Sequence, residues 1–393
     1  MIITSLLDTD LYKLTMMQMA WRHYPDTQVE YTFICRNPHI YDMRVVFPTV
    51  RQELDNFCQL RFQDDELNYL RTLPYMRQEF VDWLRDYRLD PSHVTLKADG
   101  ESGFTLIIRG PLLQTILYEV PLLAIINEST FAYHVPEAKY SLWRKRLEGK
   151  VELIRSAPDN EDFVFADFGT RRRFSRAHHR HVIEYLKQET PRHCIGTSNV
   201  LLAKELELLP VGTMAHEYLQ VCQALAPSLE ESQRYAFDLW FQEYQGQLGV
   251  ALSDIITLDA FLRDFDRSLA VRYDGIRHDS GDPFAWGDRV IAHLENLGVD
   301  PRRKTLIFSN SLNIPRALEI YHYFRDRARI TFGIGTNLTN DLGYTPLDIV
   351  IKITECNGVP VAKISDSPGK MVCKDSRFLQ QLQQAFNVGE IHV

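Results

Sequence analysis

The sequence predicts an α/β protein with two parts: an N-terminal α/β domain and a series of parallel βα units that forms either a barrel or a doubly wound sheet. Two observations carry this prediction. From about residue 163 onward, short apolar segments of strand length alternate with segments whose apolar residues recur at helical spacing. Small polar residues also cluster where these predicted strands end, which is where parallel α/β folds place their functional groups.

Composition and charge favour a soluble enzyme that acts on a small molecule. The chain has 393 residues, of which 45% are hydrophobic and 24% are charged. Its net charge of −8 argues against nucleic acid or an acidic membrane as the main partner. The six cysteines are scattered without a Cys-x-x-Cys pair, which is typical of a reducing compartment and gives no zinc pattern. The sequence has no basic-flanked leader and no apolar run near ~20 residues, so we expect a cytoplasmic protein.

The N-terminal domain is predicted to span residues 1–135 and to receive the C-terminal segment, about residues 360–393. Its first helix, residues 8–24, opens with good capping residues and carries apolar residues at helical spacing. The other elements predicted up to residue 150 are a strand at 29–35, a hairpin at 94–109 around Asp99-Gly100, and helices at 47–60, 64–73, 77–88, 112–131 and 136–150.

The barrel domain is predicted to span residues 136–359. Its predicted strands are residues 163–167, 193–197, 250–256, 271–276 (within the apolar segment 269–276), 305–308, 330–334 and 348–353. The predicted helices between them are residues 171–189, 217–225, 228–244, 258–265, 284–297 and 314–324. A further apolar stretch, residues 359–364, is predicted to return a strand to the N-terminal domain.

The turn at residues 277–283 concentrates charged groups between a predicted strand and a predicted helix. It reads Arg-His-Asp-Ser-Gly-Asp-Pro, and Gly281 supplies turn geometry. Two interpretations stay open on residue types alone. Either Asp279, Ser280 or Asp282 caps the helix that follows, or Arg277 and the carboxylates serve a functional site at the carboxyl end of a strand.

The turn at residues 167–173 carries the groups expected around a flat, negatively charged ring. It reads Asp-Phe-Gly-Thr-Arg-Arg-Arg, in which Phe168 offers an aromatic face and Arg171 a guanidinium near the start of a predicted helix. One of the three arginines is expected to face inward, because consecutive helix residues diverge by about 100°. The alternative is that the arginines line a helix surface and that Phe168 belongs to the core.

Three further turns consist of glycine and small polar residues. Residues 196–199 present the hydroxyls of Thr197 and Ser198, which bind a ligand without adding negative charge; an N-cap is the alternative. The turns at residues 309–311 and 333–337 follow two later strands, where backbone amides and hydroxyls suit a phosphate group. The candidates for this phosphate cradle are Ser309, Asn310, Gly333, Gly335 and Thr336.

His216 stands in a loop that enters a predicted helix, where a histidine serves as a ligand, an acid/base group or a phosphoryl acceptor. Asp254 ends a predicted strand and is placed to orient this histidine through a ring N–H. A histidine with a purely structural role is the alternative. The run His-His-Arg-His at residues 178–181 has no carboxylate at ligand spacing, so we predict that it is helix surface.

Six short motifs give the sequence a resemblance to a known family. The motifs are residues 10–15 (Asp-Leu-Tyr-Lys-Leu-Thr), 168–172 (Phe-Gly-Thr-Arg-Arg), 196–199 (Gly-Thr-Ser-Asn), 212–217 (Gly-Thr-Met-Ala-His-Glu), 277–282 (Arg-His-Asp-Ser-Gly-Asp) and 332–336 (Phe-Gly-Ile-Gly-Thr). In this order they resemble the nicotinate phosphoribosyltransferases of bacteria, from near residue 5 to the C-terminus. The resemblance implies an irregular parallel α/β barrel of the type II phosphoribosyltransferase kind with an N-terminal α/β domain.

The resemblance also implies a reaction. The family transfers the phosphoribosyl group of phosphoribosyl pyrophosphate (PRPP) to the ring nitrogen of nicotinate, which gives nicotinate mononucleotide and pyrophosphate in NAD biosynthesis. ATP is hydrolysed alongside through a phosphorylated histidine that matches His216, so that the enzyme is a ligase as well as a glycosyltransferase. The implied cofactors are ATP and Mg²⁺. The family is typically a homodimer in which the residue matching Tyr12 reaches the neighbouring subunit's site.

Under this resemblance each candidate residue has an expected role. Asp279 holds the ribose hydroxyls or the metal-bound pyrophosphate, and Mg²⁺ is carried by the pyrophosphate with Asp279 and Asp282 as its candidate protein ligands. A related family that uses nicotinamide carries an aspartate where Ser198 stands, so Ser198 favours nicotinate. The remaining expected roles are ring stacking for Tyr12 and Phe168, anion binding for Arg171 and Arg277, and substrate binding for Thr170, Thr197 and Ser198.

Three alternatives stay open. A nicotinamide or quinolinate phosphoribosyltransferase differs only in the pyridine that it accepts. A barrel hydrolase uses metal-bound water held by Asp279, Asp282 and a histidine, although no His-x-His pair ends an early strand as such a metal site requires. A nucleotide-binding regulator retains the motifs without catalysis.

Overall fold

The structure is a computed structural model that describes residues 1–99, 103–135, 140–367 and 370–389. The chain forms two compact units, each made of several segments. Unit 1 comprises Met1–Gly212, Asn313–Pro315 and Ile334–Lys352, and unit 2 comprises Thr213–Leu312, Arg316–Gly333 and Ile353–Val393. The domain boundaries predicted at residues 135 and 359 divide the chain in sequence order, whereas each of these units combines several segments. The predicted boundaries stay a prediction.

Helices and strands alternate along most of the chain, and the predicted α/β class is confirmed. The strands are β1 Gln28–Cys35, β2 Val94–Asp99, β3 Gly103–Pro111, β4 Val164–Asp167, β5 Cys194–Thr197, β6 Leu209–Pro210, β7 Val250–Leu252, β8 Gly275–His278, β9 Thr305–Phe308, β10 Arg329–Ile334, β11 Ile349–Cys356 and β12 Val359–Pro360. The helices are α1 Leu11–His23, α2 Phe47–Cys58, α3 Asp64–Thr72, α4 Gln78–Leu84, α5 Leu112–Thr115, α6 Glu119–His134, α7 Tyr140–Ser156, α8 Arg176–Glu189, α9 Val200–Glu205, α10 His216–Leu225, α11 Ser232–Tyr244, α12 Leu258–Asp264, α13 Arg267–Arg272, α14 Pro283–Asn296, α15 Ile314–Phe324, α16 Thr336–Thr339 and α17 Ser376–Ala385.

Unit 1 contains both an antiparallel and a parallel set of strands. β3 pairs antiparallel with β1 and with β2, and the β2–β3 pairing confirms the predicted hairpin, whose turn at residues 100–102 lies outside the described residues. β4, β5 and β6 pair in parallel, so that the turns following β4 and β5 leave the same edge. Helix α6 is buried along most of its length, which explains why its sequence lacks an amphipathic period.

Unit 2 contains the parallel strands β7, β8, β9 and β10. The registers pair Ala251 with Ile276, Ile276 with Leu306, and Leu306 with Ile330. Because these strands run in the same direction, the residues that follow β7, β8 and β9 emerge at one edge. This edge carries most of the functional candidates of unit 2.

Several predicted elements differ from the structure: the helix predicted at 112–131 is divided into α5 and α6, and the strand predicted at 250–256 ends at Leu252. Three further differences involve a helix cap or a strand pairing. The segment 269–276 is not one strand, because Asp266 caps helix α13 by accepting a hydrogen bond from Leu269 N–H, and β8 begins only at Gly275. A Cβ at Gly275 would lie 2.6 Å from the Thr305 carbonyl oxygen, so the close pairing of β8 with β9 requires glycine. The strand predicted at 359–364 is only the two-residue β12, which pairs with the end of β11.

The third difference concerns the arginine run. The helix predicted from residue 171 begins at Arg176, because Ser175 caps it by accepting a hydrogen bond from His178 N–H. The arginines therefore lie in a short 3-10 helix, Thr170–Arg172, and in the turn that follows it. Among the described residues, every helix is too short or too polar to span a lipid bilayer.

Candidate active site

A buried cluster in unit 2 surrounds His216, and we call it the histidine cluster. It comprises His216, Asp254, Ser280, Lys363 and the nearby Asp279. His216 is the first residue of α10, and its Nε2 lies 2.8 Å from Asp254 Oδ1. Its Nδ1 lies 3.9 Å from Asp279 Oδ2. The structure therefore brings together three residues that the sequence had placed on separate turns.

Lys363 completes the histidine cluster, and sequence reasoning missed it. Its Nζ lies 2.7 Å from His216 Nε2 and 2.7 Å from Asp254 Oδ2. Ser280 Oγ donates to the same Asp254 oxygen at 2.8 Å. Lys363 follows Asp254 by 109 residues and lies in an apolar stretch without a recognisable motif, so its only sequence signal was a charged residue in a segment predicted to form a strand.

Burial and neighbouring charges set the protonation of this cluster. Burial, followed by the positive charge of Lys363, lowers the pKa of His216 to about 4 against the opposing effect of Asp254. Burial alone would raise the pKa of Asp254, but His216 and Lys363 outweigh burial and hold that pKa well below its ordinary value. At neutral pH the cluster therefore holds a neutral imidazole beside an Asp254–Lys363 ion pair.

The cluster also contains a set of atoms with metal-ligand spacing. One ligand atom each from His216, Asp254 and Asp279 lies within 4.8 Å of the others. However, the Lys363 ammonium lies 2.7 Å from both His216 Nε2 and Asp254 Oδ2, and its positive charge there repels a second cation.

The turn after β8 assembles Arg277, Asp279 and Ser309. Arg277 Nε donates to Ser309 Oγ at 3.0 Å, and Ser309 Oγ lies 3.0 Å from Asp279 Oδ1. Arg277 also lies 3.5 Å from Asp279 Oδ2. Burial opposes the charged form of Asp279, but Arg277, followed by His216 and Lys363, holds the pKa of Asp279 at about 2.

Lys370 is a second residue that the sequence did not reveal. Its Nζ donates to the Asp279 carbonyl oxygen at 2.9 Å and to Asn310 Oδ1 at 2.6 Å. It therefore ties the turn after β8 to the turn after β9. Gly333 lies in β10, directly after the Phe332–Phe308 pair of that sheet.

For Asp282 the structure supports the capping interpretation. Its Oδ1 accepts hydrogen bonds from Phe284 N–H at 3.1 Å and from Ala285 N–H at 2.8 Å, at the start of α14. Gly281, which precedes it, has φ +81°, a conformation that favours glycine. His278 is buried, and its Nε2 contacts Gly281 O at 3.2 Å within the same turn.

In unit 1, Asp167 joins the turn after β4 to the turn after β5. Its Oδ1 accepts from Gly169 N–H at 2.8 Å, while its Oδ2 accepts from Thr197 Oγ1 and contacts His179 Nε2, both at 2.7 Å. His178 and His179 are both buried, so the prediction that residues 178–181 are helix surface is wrong for these two residues. For His179 the reason is that Asp167 supplies the carboxylate partner from a different element, which spacing within the run did not show.

The three arginines of the run have three different environments. Arg173 is fully buried and binds Asp8 in a bidentate pair with N–O distances of 2.6 and 2.8 Å. Arg172 binds Asp348 at 2.7 Å. The guanidinium of Arg171 is partly exposed and lies 3.4 Å from Glu119 Oε1. The Arg171 side chain is therefore the most exposed of the three.

Ser198 and Thr170 surround a buried carboxylate that sequence reasoning had treated only as a helix cap. Ser198 Oγ donates to Asp10 Oδ1 at 2.7 Å, whereas Asp10 makes no side-chain cap to α1. Burial raises the pKa of Asp10, and Arg171, Ser198 and Thr170 act in the opposite direction. The hydroxyls of this turn thus bind protein carboxylates in the structure.

The aromatic and glycine residues of unit 1 that were predicted to bind substrate are partly exposed to solvent. The rings of Tyr12 and Phe168 are half-buried. A Cβ at Gly335 would lie 2.7 Å from the Phe168 carbonyl oxygen, so the turn after β10 approaches this backbone in a way that requires glycine. Thr336 follows it as the first residue of the short helix α16.

Comparisons with known proteins agree with this architecture. A sequence model described as the nicotinate phosphoribosyltransferase (NAPRTase) family matches residues 163–390, and one described as the NAPRTase N-terminal domain matches residues 7–127. The chain is 49% identical over 392 residues to nicotinate phosphoribosyltransferase of Burkholderia ambifaria, covering 99% of this chain and 98% of that protein. It is 49% identical over 396 residues to the same enzyme of Acidovorax sp. strain JS42, covering 99% of each.

Solved structures give the same result for the whole chain. The crystal structure of nicotinate phosphoribosyltransferase from Vibrio cholerae matches with a TM-score of 0.95 and 42% identity, covering 100% of this chain and 95% of that one. The structure from Porphyromonas gingivalis matches with a TM-score of 0.92 and 34% identity, covering 98% and 100%. The chain belongs to the nicotinate phosphoribosyltransferase family.

Proposed function

We propose that this protein transfers the phosphoribosyl group of PRPP to nicotinate, forming nicotinate mononucleotide and pyrophosphate for NAD biosynthesis. Full-length membership of the family is the observation that carries this proposal. In the reaction, a bond forms between the pyridine nitrogen and ribose C1 while the bond from C1 to the pyrophosphate oxygen breaks, and the electron pair leaves with pyrophosphate. Because the attacking nitrogen is neutral, the site has to bind and neutralise charge rather than remove a proton.

In unit 2, the Arg277–Asp279–Ser309 arrangement suits the ribose and its phosphates. We assign Arg277 to a phosphate oxygen and Asp279 to the ribose hydroxyls or to Mg²⁺ on the pyrophosphate. Mg²⁺, when bound there, would neutralise charge that develops on the leaving group. Ser309, Asn310 and Gly333 stay our candidates for the 5′-phosphate, and in unit 1 we propose the same role for Gly335 and Thr336.

In unit 1, we assign the substrate ring to Tyr12 and Phe168 and the substrate carboxylate to Arg171. All three arginines lie near protein carboxylates, and the greater exposure of the Arg171 side chain supports this choice over Arg172 and Arg173. Thr170, Thr197 and Ser198 would shape the site through the carboxylates that they bind. From the family resemblance we also propose a cytoplasmic homodimer in which Tyr12 contributes to the neighbouring site.

We further propose that ATP hydrolysis is coupled through phosphorylation of His216. Nε2 of this ring faces Asp254 and Lys363, whereas Nδ1 faces Asp279 only at 3.9 Å. Nδ1 is therefore the nitrogen with room for a phosphoryl group. The neutral state of the imidazole supports this role, since only the neutral ring has a lone pair to attack phosphorus.

A competition experiment tests the proposed substrate. With PRPP and equal concentrations of nicotinate, nicotinamide and quinolinate, we expect nicotinate mononucleotide to be the main product, because Arg171 favours a carboxylate and Ser198 adds no negative charge. Products are separated and quantified by chromatography. Preferential formation of nicotinamide mononucleotide, or release of carbon dioxide from quinolinate, would contradict the assignment.

Replacing Asp279 should impair catalysis more than folding. We expect Asp279→Ala to lower kcat/KM for PRPP by about 10²–10³-fold, the range typical for loss of one electrostatic group at the reacting centre. The matched control is Asp282→Ala in the same turn, which should cost about 1 kcal/mol of stability through loss of the helix cap and should leave transfer nearly unchanged. A large drop in melting temperature with normal activity in Asp279→Ala would assign Asp279 a structural role instead.

A further inference from the structure

Lys363 places a buried positive charge directly against the candidate phosphoryl acceptor. Only 4% of the residue is exposed, and its ammonium makes contacts of 2.7 Å with both His216 Nε2 and Asp254 Oδ2. Burying an ammonium is costly unless it is paired. Asp254 provides that pair, so the charge is stabilised where it lies.

The backbone on both sides of Lys363 is fixed to the elements that carry its partners. Gln223 on α10 exchanges two hydrogen bonds with Ala362, donating to its carbonyl oxygen at 2.8 Å and accepting from its N–H at 2.9 Å. Gln223 lies two turns after His216 on α10 and therefore on a similar face. On the other side, Ile364 N–H donates to Ile255 O at 2.9 Å, next to Asp254. The ammonium is thus held in place before any ligand binds.

The contacts of His216 Nε2 determine which group the Lys363 ammonium can bind. A ring nitrogen has one in-plane direction for a hydrogen bond, and both Asp254 Oδ1 and Lys363 Nζ approach Nε2. When Nε2–H donates to Asp254, the lone pair is on Nδ1. Lys363 then binds the second oxygen of Asp254 and offsets its negative charge, which together with that of Asp279 would otherwise repel a polyphosphate.

We propose that Lys363 is a positioning residue for phosphoryl transfer to His216: its ammonium holds Asp254 against the imidazole and offsets the carboxylate charge while Nδ1 accepts the phosphoryl group. This inference rests on the ATP coupling proposed above. In the step, a bond forms between Nδ1 and the γ-phosphorus of ATP as the bond to the β,γ-bridging oxygen breaks. The electron pair leaves with ADP, the Nε2 proton stays directed at Asp254, and Lys363 keeps all its protons.

The test is single-turnover labelling of the full chain with γ-labelled ATP and Mg²⁺. We expect Lys363→Met, which keeps the length of the side chain, to form acid-labile label about 10- to 100-fold more slowly, the range for loss of a residue that orients a functional histidine. In Lys363→Ala, added methylammonium or ethylammonium should restore part of the rate. The matched control is Lys304→Met, since Lys304 is also buried in unit 2 but bonds to the Tyr273 carbonyl oxygen instead.

Each outcome separates this inference from the proposed coupling. A Lys363→Met rate within about twofold of the wild-type rate overturns the role of Lys363 alone. If Lys363→Met and Lys304→Met slow labelling equally, lose the same melting temperature and show no amine rescue, the effect is structural. This outcome also overturns the positioning role of Lys363. If the wild-type protein takes up no acid-labile phosphate, the ATP coupling fails and the inference falls with it. Slowing confined to Lys363 variants, with amine rescue, supports it.

Discussion

His216→Ala should abolish acid-labile phosphorylation of this protein. The imidazole is the expected nucleophile of the histidine cluster, because Lys363 is paired, the carboxylates hold their charge and the Ser280 hydroxyl donates to Asp254. We expect no acid-labile label from γ-labelled ATP in the variant, together with slower phosphoribosyl transfer that no longer responds to ATP. His293→Ala is the matched control, since His293 also lies in unit 2 but bonds to Phe265 O. Acid-stable label on serine, or unchanged labelling in His216→Ala, would refute the assignment.

The pH dependence of labelling follows from the same geometry. Burial, reinforced by Lys363, lowers the pKa of His216 to about 4, so the imidazole stays neutral well below the ordinary histidine pKa of about 6.5. The initial labelling rate should therefore hold from pH 8 to about pH 5.5. A labelling rate that falls with a midpoint near pH 6.5 would contradict the lowered pKa of His216. The lowered pKa also makes the folded state lose stability as pH falls from 6.5 toward 4, because the unfolded chain binds a proton there that the folded one does not.

Asp8→Ala should destabilise unit 1 more than any surface substitution. The change leaves the fully buried Arg173 guanidinium without its bidentate partner and removes an acceptor from Asn199, whose Nδ2 lies 2.8 Å from Asp8 Oδ1. Loss of one partner of a buried ion pair typically costs about 3–5 kcal/mol. The measurement is the midpoint of urea unfolding, followed by a signal from unit 1.

Two further variants show whether burial is the cause. Asp64→Ala removes the partner of Arg85 in an exposed pair and should cost no more than about 1 kcal/mol. The double variant Asp8→Leu/Arg173→Met replaces the buried pair by apolar groups and should recover part of the loss. If Asp8→Ala and Asp64→Ala lower the free energy of unfolding equally, the buried pair contributes no more to stability than the exposed pair.

Much of the local structure is predictable from the sequence, because helices and strands reflect periodicities within one segment. Helix α15 begins and ends at the predicted residues, and β9 does too. Secondary-structure prediction fails where a capping side chain starts a helix in a segment whose apolar residues also fit a strand. The apolar residues of segment 269–276 fit a strand equally well, but the Asp266 side chain starts a helix there, and β8 is confined to Gly275–His278.

The candidate site is predictable to the extent that its residues lie at strand ends. Asp254, Asp279, Arg277 and Ser309 were selected because polar residues follow strands, and parallel pairing brings these ends to one edge. His216 was selected because its loop enters a predicted helix. Lys363 and His179 could not be found in this way. Each functions through a contact with a carboxylate on another element, and neither contact leaves a periodicity or spacing in the sequence.

The turn at residues 277–283 shows most clearly which features are predictable from the sequence and which depend on tertiary packing. The residue pattern was enough to predict a charged turn between a strand and a helix, and the order of the six motifs indicated the family. The folded chain was needed to show that Asp282 is the helix cap, that Asp279 lies between Arg277 and His216, and that the ammonium of Lys363 pairs with Asp254. The residue types of this turn fit a cap and a functional site equally well, because the partner of each carboxylate depends on which distant segments pack against the turn.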